Sequence, residues 1–161
     1  MTECHIHRYN APILFFRGTR MQKHFIPIPD DIVEWLRRAS TRRLIVLLNG
    51  HVYRRVRHSI EEIGPCLFMS RDMLRDVGVE HGDMVLVELE VDPNPDHVEI
   101  CEEFRVALEL DVDAGKRFYS MTSGRQRSLA HYANVAKRVE TRIKRSLELA
   151  YKLRTRTLHS D

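Results

Sequence analysis

The chain has no apolar run approaching the roughly 18 residues that a bilayer-spanning helix needs. Its first candidate, Ile13-Leu14-Phe15-Phe16, is stopped by Arg17. No basic segment followed by an apolar stretch opens the sequence, so neither a membrane span nor an export signal is read, and a cytoplasmic chain is expected. Cysteine is also scarce. Cys4, Cys66 and Cys101 form no Cys-x-x-Cys pair, and an odd, unspaced set fits a reducing compartment rather than a disulfide framework.

Catalytic signatures are missing as well. No Gly-x-Ser-x-Gly elbow accompanies the serines and histidines, which argues against Ser/His/Asp hydrolysis. Gly115-Lys116 resembles the end of a phosphate loop, but Leu110 stands where that loop needs a glycine and Arg117 where it needs Ser or Thr. Cys4, His5 and His7 are good zinc ligands by chemistry, yet structural zinc takes four ligands and no second cluster follows. No metal site and no cofactor are expected. His24, His51, His58, His81, His97 and His131 fall on different elements and read as surface or turn residues. Glu61-Glu62 and Glu102-Glu103 are adjacent pairs whose side chains point apart, so they read as solvated faces rather than acid/base dyads. The chain is therefore read as non-enzymatic.

What is present is a core and a charge pattern. The chain's 161 residues, 43% of them hydrophobic, suffice for one compact domain or a small domain with an appendage. The net charge of +3 conceals a segregation. Residues 71–113 hold three basic residues against fourteen acidic ones, a balance of −11, and residues 114–161 hold twelve basic against three acidic, a balance of +9. An acidic body with a basic tail follows, and the two are expected to attract one another.

Asn49-Gly50-His51 between Leu44 to Leu48 and Val52 to Val56 is a strong hairpin signal. Ile13 to Phe16 and His24 to Ile28 read as strands after a ragged start, the second closed by Pro27 and Pro29. Asp31 to Ala39 spaces its apolar residues as a short amphipathic helix. Cys66 to Ser70 reads as a strand, Arg71 to Val77 as a helix ended by Gly78, and Met84 to Val91 as a strand entered through the turn Gly82-Asp83. The order strand, helix, strand thus recurs, from Phe25 to Leu48 and again from Leu67 to Glu90, as in an internal duplication. Trp35, Phe25, Phe68 and Phe104 are expected in the core.

Asp92-Pro93-Asn94-Pro95-Asp96 is a turn cluster and the expected linker between residues 1–95 and 96–161. Beyond it a helix is expected from about Cys101, and Thr122-Ser123-Gly124 is expected to cap a long helical region ending near Leu153. Leu129, Tyr132, Ala136, Val139, Ile143, Leu147, Ala150 and Leu153 recur at three- and four-residue steps as one apolar stripe. Arg138, Arg142, Arg145, Lys152 and Arg156 form a basic stripe beside it.

His24 to Pro29, Asn49-Gly50-His51, Leu67 to Ser70, the Gly82-Asp83-x-Val85-x-Val87-x-Leu89-Glu90-x-Asp92 run and Ala136-Lys137-x-x-Glu140-Thr141-Arg142-x-x-Arg145 together resemble the bacteriocin-protection, YdeI/OmpD-associated family, whose N-terminal half is domain of unknown function 1905. The resemblance implies an α+β fold, a small double-split β-barrel of swapped-hairpin type followed by a C-terminal helical module, and it implies no established activity. The chain departs from that family's pattern at Cys101, where a proline is usual, and at His131-Tyr132, where a tryptophan is common.

Lys137, Arg138, Glu140, Thr141, Arg142 and Arg145 are the candidate binding or docking residues. Glutamate and arginine two positions apart on a helix face different neighbours, and the expectation is that this motif docks onto the barrel. The resulting reading is a monomeric accessory of binding or stress protection, with a protein as partner. Two alternatives stand beside it. One is a nucleic-acid-binding regulator using the basic helix, although no aromatic residues alternate with the arginines. The other is a small-molecule enzyme with a site between barrel and helices.

Overall fold

A computed structural model of the chain describes residues 5–161 in two compact units, Met1–Pro95 and Asp96–Asp161. Cys4, one member of the zinc trio considered above, lies outside the described residues.

The N-terminal unit runs β1 (His7–Pro12), β2 (Leu14–Arg17), β3 (Gln22–Pro27), α1 (Asp30–Leu36), β4 (Arg43–Leu48), β5 (His51–Val56), β6 (His58–Ile60), β7 (Gly64–Met69), α2 (Arg71–Val77) and β8 (Met84–Val91). The strands form two four-stranded antiparallel sheets, ordered β1-β8-β4-β5 and β2-β3-β7-β6. The hairpin β4–β5 turns on Asn49 and Gly50, both with positive φ, 48° and 87°, as a two-residue turn of matched twist requires. Helix α2 is capped by Ser70, whose Oγ accepts from the Met73 N–H at 3.2 Å, and it ends at Gly78 in the left-handed region.

No ladder among the described residues closes the two sheets into a barrel, which corrects the expected closed barrel. The physical reason lies at Ile13 and Arg57, where the chain leaves one sheet and enters the other. The Ile13 N–H donates to Asp83 O at 2.8 Å and the Arg57 N–H to Arg42 O at 3.0 Å, seam bonds that extend the β1–β8 and β4–β5 registers by one residue before the chain passes to the other sheet. The inner faces nevertheless share one core of Ile13, Ile26, Leu44, Leu48, Leu67, Val87 and Leu89, which α1 and α2 join through Ile32, Leu36 and Met73. The stretch read as a ragged start is strand β1. Its residues have weak strand propensity, and they are held by pairing along β8 from His7 against Leu89 to Pro12 against Met84.

The repeated order of elements has a geometric counterpart. In the pair β3–β7, Ile26 faces Leu67, and in β4–β8, Leu47 faces Glu88; both pairs are separated by 41 residues (67 − 26 and 88 − 47). The helices start at the same offset, Asp30 and Arg71, as do β4 and β8, Arg43 and Met84. An approximate twofold axis therefore passes between these pairs and exchanges β3-α1-β4 with β7-α2-β8. It also exchanges β1-β2 with β5-β6 at an offset of 44 residues (51 − 7 and 58 − 14), with the crossing residues Ile13 and Arg57 in equivalent places. Each half lends its first strand to the other, since β1 pairs with β8 and β5 with β4.

Asp92, just after β8, is a buried carboxylate. Arg54 Nη1 on β5 lies 2.8 Å from both its oxygens, and the Asn94 N–H donates to Oδ1 at 2.8 Å. A buried charge that loses its partner is costly. Arg54→Leu is expected to destabilise the unit by about 2–3 kcal/mol, and the double variant Arg54→Leu/Asp92→Leu by less than the single one. Urea midpoints of the three proteins measure this, and equal midpoints for wild type and Arg54→Leu would refute it.

The C-terminal unit consists of α3 (Glu102–Leu110), α4 (Val112–Ser120), α5 (Ser123–Asn134) and α6 (Val139–Thr155) around a core of Phe104, Phe118, Ala130, Ala133, Leu149 and Leu153. Phe104 and Phe118 meet edge-to-face at 5.1 Å. Gly115 lets α4 approach α3: a Cβ there would stand 2.6 Å from Leu108 O. Thr122 caps α5 as expected, accepting from the Arg125 N–H at 3.3 Å. The single long helical region is instead two helices, broken at residues 135–138. No described helix is long and apolar enough to cross a membrane.

Candidate functional site

The break between α5 and α6 resets the helical phase, and this rearranges the expected apolar stripe. Ala136, Ala150 and Leu153 are buried, whereas Val139, Ile143 and Leu147 are exposed by 49%, 45% and 57%. Ser146 and Leu149 take the inward positions instead. At 3.6 residues per turn, a row in steps of four drifts by about 40° per step, so Val139, Ile143, Leu147 and Tyr151 wind away from the core onto the open side of α6. Glu140, Lys144 and Arg154 flank this row on the helix surface.

The six candidate residues divide into two groups. Arg142 and Arg145 are structural clasps. Arg142 Nε donates to Glu103 Oε1 on α3 at 3.0 Å, and its Nη1 donates to the Ala136 and Lys137 carbonyls at 3.0 and 3.1 Å. Those carbonyls are left over where α5 has ended and α6 has not begun, and a guanidinium supplies the missing donors. Arg145 stacks over the Tyr132 ring at 4.7 Å and donates to Tyr132 O at 2.9 Å. All of these partners belong to the C-terminal unit. Lys137, Arg138 and Glu140 are exposed, and their side chains make no hydrogen bond or ion pair among the described residues. Thr141 is half-buried between the two groups.

Glu103, read above as part of a solvated face, is the residue the sequence reasoning missed. The bond to its own backbone N–H, seconded by Arg142, holds its carboxyl below the ordinary carboxylate value. Asp111 likewise meets Arg154 at 3.3 Å, and Asp161 meets Arg117. Glu103–Arg142 and Asp111–Arg154 thus pair acidic residues of the first half of this unit with basic residues of the second, which is the form the charge segregation takes here, while Arg117–Asp161 runs the other way. The signal was available in principle, because Glu103 and Arg142 carry opposite charge on helices that share one core, but sequence alone does not say which helices neighbour. Asn134 closes the same corner: its Nδ2 donates to Glu99 O and its Oδ1 accepts from the Cys101 N–H, both at 2.8 Å, so one side-chain amide holds the extended entry to α3. Tyr132 also reaches Glu148, 3.1 Å from its hydroxyl, and Lys152 completes that chain at 2.9 Å.

Residues 97–155 match the family model described as bacteriocin-protection, YdeI or OmpD-associated. The match falls wholly within the helical unit, and the resemblance read from the Glu140-Thr141-Arg142 motif is therefore shown for this module. The N-terminal half, for which the resemblance implied domain of unknown function 1905, lies outside the match. No curated protein matches the chain.

Of the scattered histidines, His24 and His81 come within 6.5 Å of one another beside a shallow groove of the N-terminal unit lined by Arg71, Arg75 and Val79. No group of three or more His, Cys, Asp or Glu among the described residues is placed to hold a metal. In the matched module the arrangement is one of clasped helix ends and an open apolar row.

Two expectations follow. Arg142→Gln is expected to destabilise the module by about 1–3 kcal/mol, because it leaves carbonyls and Glu103 without a donor, while Arg138→Gln stays within about 0.5 kcal/mol of wild type. Denaturant midpoints compare them, and equal losses would contradict the division into clasp and free surface. The second concerns acid. Glu103, Glu148 and Asp161 all have carboxyls lowered below their ordinary values of 4.5, 4.5 and 3.8. A lowered folded-state value gives stability that is present above the ordinary value and is lost as pH falls through the folded one. Helical signal at a fixed urea concentration is expected to fall as pH drops from about 5 to 3, less steeply in Glu103→Gln; identical profiles would refute this.

Proposed function

We propose that the chain is a non-enzymatic, cytoplasmic accessory protein that protects against a bacteriocin or a comparable stress by binding a protein partner through the open side of α6. The observation that carries the reading is the row Val139, Ile143, Leu147 and Tyr151, exposed by 45–57%, on the module that matches the bacteriocin-protection family. Four large apolar side chains in one line cost solvation, and a helix face of this kind is what a partner's groove accepts. Arg138, Lys137 and Lys144 beside the row leave a positive rim, which favours a partner with acidic residues around its apolar patch.

The nucleic-acid alternative for the same helix is weaker. Arg142 and Arg145 already donate to carbonyls, so only Arg138 of the three central arginines has its guanidinium free for phosphate. For the N-terminal unit we read the two sheets as the split halves of a swapped-hairpin barrel; the approximate twofold axis and the exchanged strands β1 and β5 support that reading.

The test is survival of a bacteriocin-sensitive bacterium that produces the chain. Wild type is expected to raise survival, and Ile143→Ser/Leu147→Ser to lose most of that gain while keeping its melting temperature, since both positions are exposed. Protection that is absent in the wild type, or undiminished in the double variant, would refute the reading.

A further inference from the structure

A second surface, independent of α6, lies on the outer face of the sheet β2-β3-β7-β6. Register places Leu14 opposite Phe25, Phe16 opposite Lys23, Phe25 opposite Phe68, Pro27 opposite Cys66, and His58 opposite Cys66. Strand alternation puts all of these on one face, together with Ile60, while Ile26, Leu67 and Met69 turn inward to the core. Phe25 and Cys66 are buried, at 6% and 0% exposure, yet belong to neither core. The face is thus a layer of three phenylalanines, Leu14 and Ile60 on the far side of the sheet from the core.

Positive charge gathers at one end of that layer. Lys23 Nζ lies 5.4 Å from the centre of the Phe68 ring, and the His58 ring is 4.8 Å from the same ring on its other strand neighbour. The Arg57 N–H donates to Arg42 O, which brings Arg42 beside His58, whereas the Arg57 side chain alternates to the other face and its Nε is buried. Lys23 and Arg42 are both near enough to His58 to help lower its pKa, after the larger effect of burial. Lys23 and Arg42 have no carboxylate partner among the described residues. Glu61 and Glu62, the acidic residues nearest in sequence, follow Ile60 at the opposite end of the sheet from Lys23.

We propose that this face binds single-stranded nucleic acid, bases stacking on Phe16 and Phe68 and phosphates taken by Lys23 and Arg42. Two features decide for that occupant. An apolar protein partner would leave two unpaired cations facing it, whereas a polyanion neutralises them and releases counterions. A duplex would present its phosphates but hide its base faces, whereas an unpaired strand offers a π face to each ring. Phe16 and Phe68 stand on β2 and β7 with β3 between them, two strand spacings or about 10 Å apart, so different bases reach each ring.

The experiment is fluorescence anisotropy of the full chain with labelled single-stranded DNA and RNA of about ten nucleotides, and with the corresponding DNA duplex, over a range of sodium chloride. Binding to a single strand is expected to fall with salt at a log-log slope of about −1.4, from two contacts at about −0.7 each. Lys23→Gln, at an exposed position, is expected to flatten the slope by about 0.7, and Phe68→Leu to weaken binding by about fivefold or more. The duplex is expected to bind more weakly, and DNA compared with RNA tells which strand is preferred. Should Phe68→Leu lower the melting temperature, Lys23→Gln and Arg42→Gln carry the test, since neither side chain is in the core. No binding of either single strand at low salt, equal affinity for duplex and single strand, or binding that survives Lys23→Gln/Arg42→Gln and disappears in Arg138→Gln/Lys144→Gln would overturn the proposal.

Discussion

The pairing of β3 with β7 and of β4 with β8 across one approximate twofold axis is the constraint on which the N-terminal unit depends. Neither half can stand alone. A strand-helix-strand of this length has two unpaired strand edges and an apolar face with nothing on it, and the first strand of each half completes the sheet of the other. The same exchange puts Ile13, Ile26, Leu44 and Leu67 into one core, so the two sheets are joined by packing and not by hydrogen bonds. Seam bonds at Ile13 and Arg57 let the chain cross between sheets without orphaning its backbone.

An approximate axis also shows where the halves have diverged. Inward positions keep their character, Ile26 against its equivalent Leu67, because both fill the same core. Outward positions do not. On the second sheet, Phe25 corresponds to Cys66, Lys23 to Gly64 and Leu14 to His58, so one backbone symmetry carries an asymmetric chemistry. Packing has no reason to prefer cation and imidazole to aliphatic residues on an outer face. Their concentration around Phe68 is therefore a property of the surface and not of the fold.

Much of this architecture is legible in the sequence, and the illegible parts share a cause. The hairpin at Asn49-Gly50, helix α2 between Ser70 and Gly78, and strand β8 are specified locally, by turn residues that tolerate positive φ, a side-chain cap and alternation. Strand β1 is not, because its residues acquire strand conformation only from β8, nearly eighty positions away. The break before α6 is similar. Val135-Ala136-Lys137-Arg138 contains no proline or glycine, and what ends the helix is Arg142 turning back to collect the Ala136 and Lys137 carbonyls. Without that break two faces merge into one, and Val139, Ile143 and Leu147 read as core. The motif Glu140-Thr141-Arg142 is legible in the sequence and its partners are not, since Glu103 is a neighbour only once α3 and α6 have packed.

Charge along the sequence proves a poor guide to free charge in space. The C-terminal helix is the most basic part of the chain, yet Arg142, Arg154 and Lys152 meet Glu103, Asp111 and Glu148, and Arg145 lies against Tyr132. Lys23 and Arg42 lie in different elements, and the fold brings both beside His58 at one end of one face. A partnered cation has already exchanged part of its hydration for a carboxylate, and a phosphate must compete with that carboxylate to bind it. A cation held beside an aromatic ring without such a partner offers a polyanion its full attraction, and this difference, more than the count of arginines, determines which surface of the molecule attracts a nucleic acid.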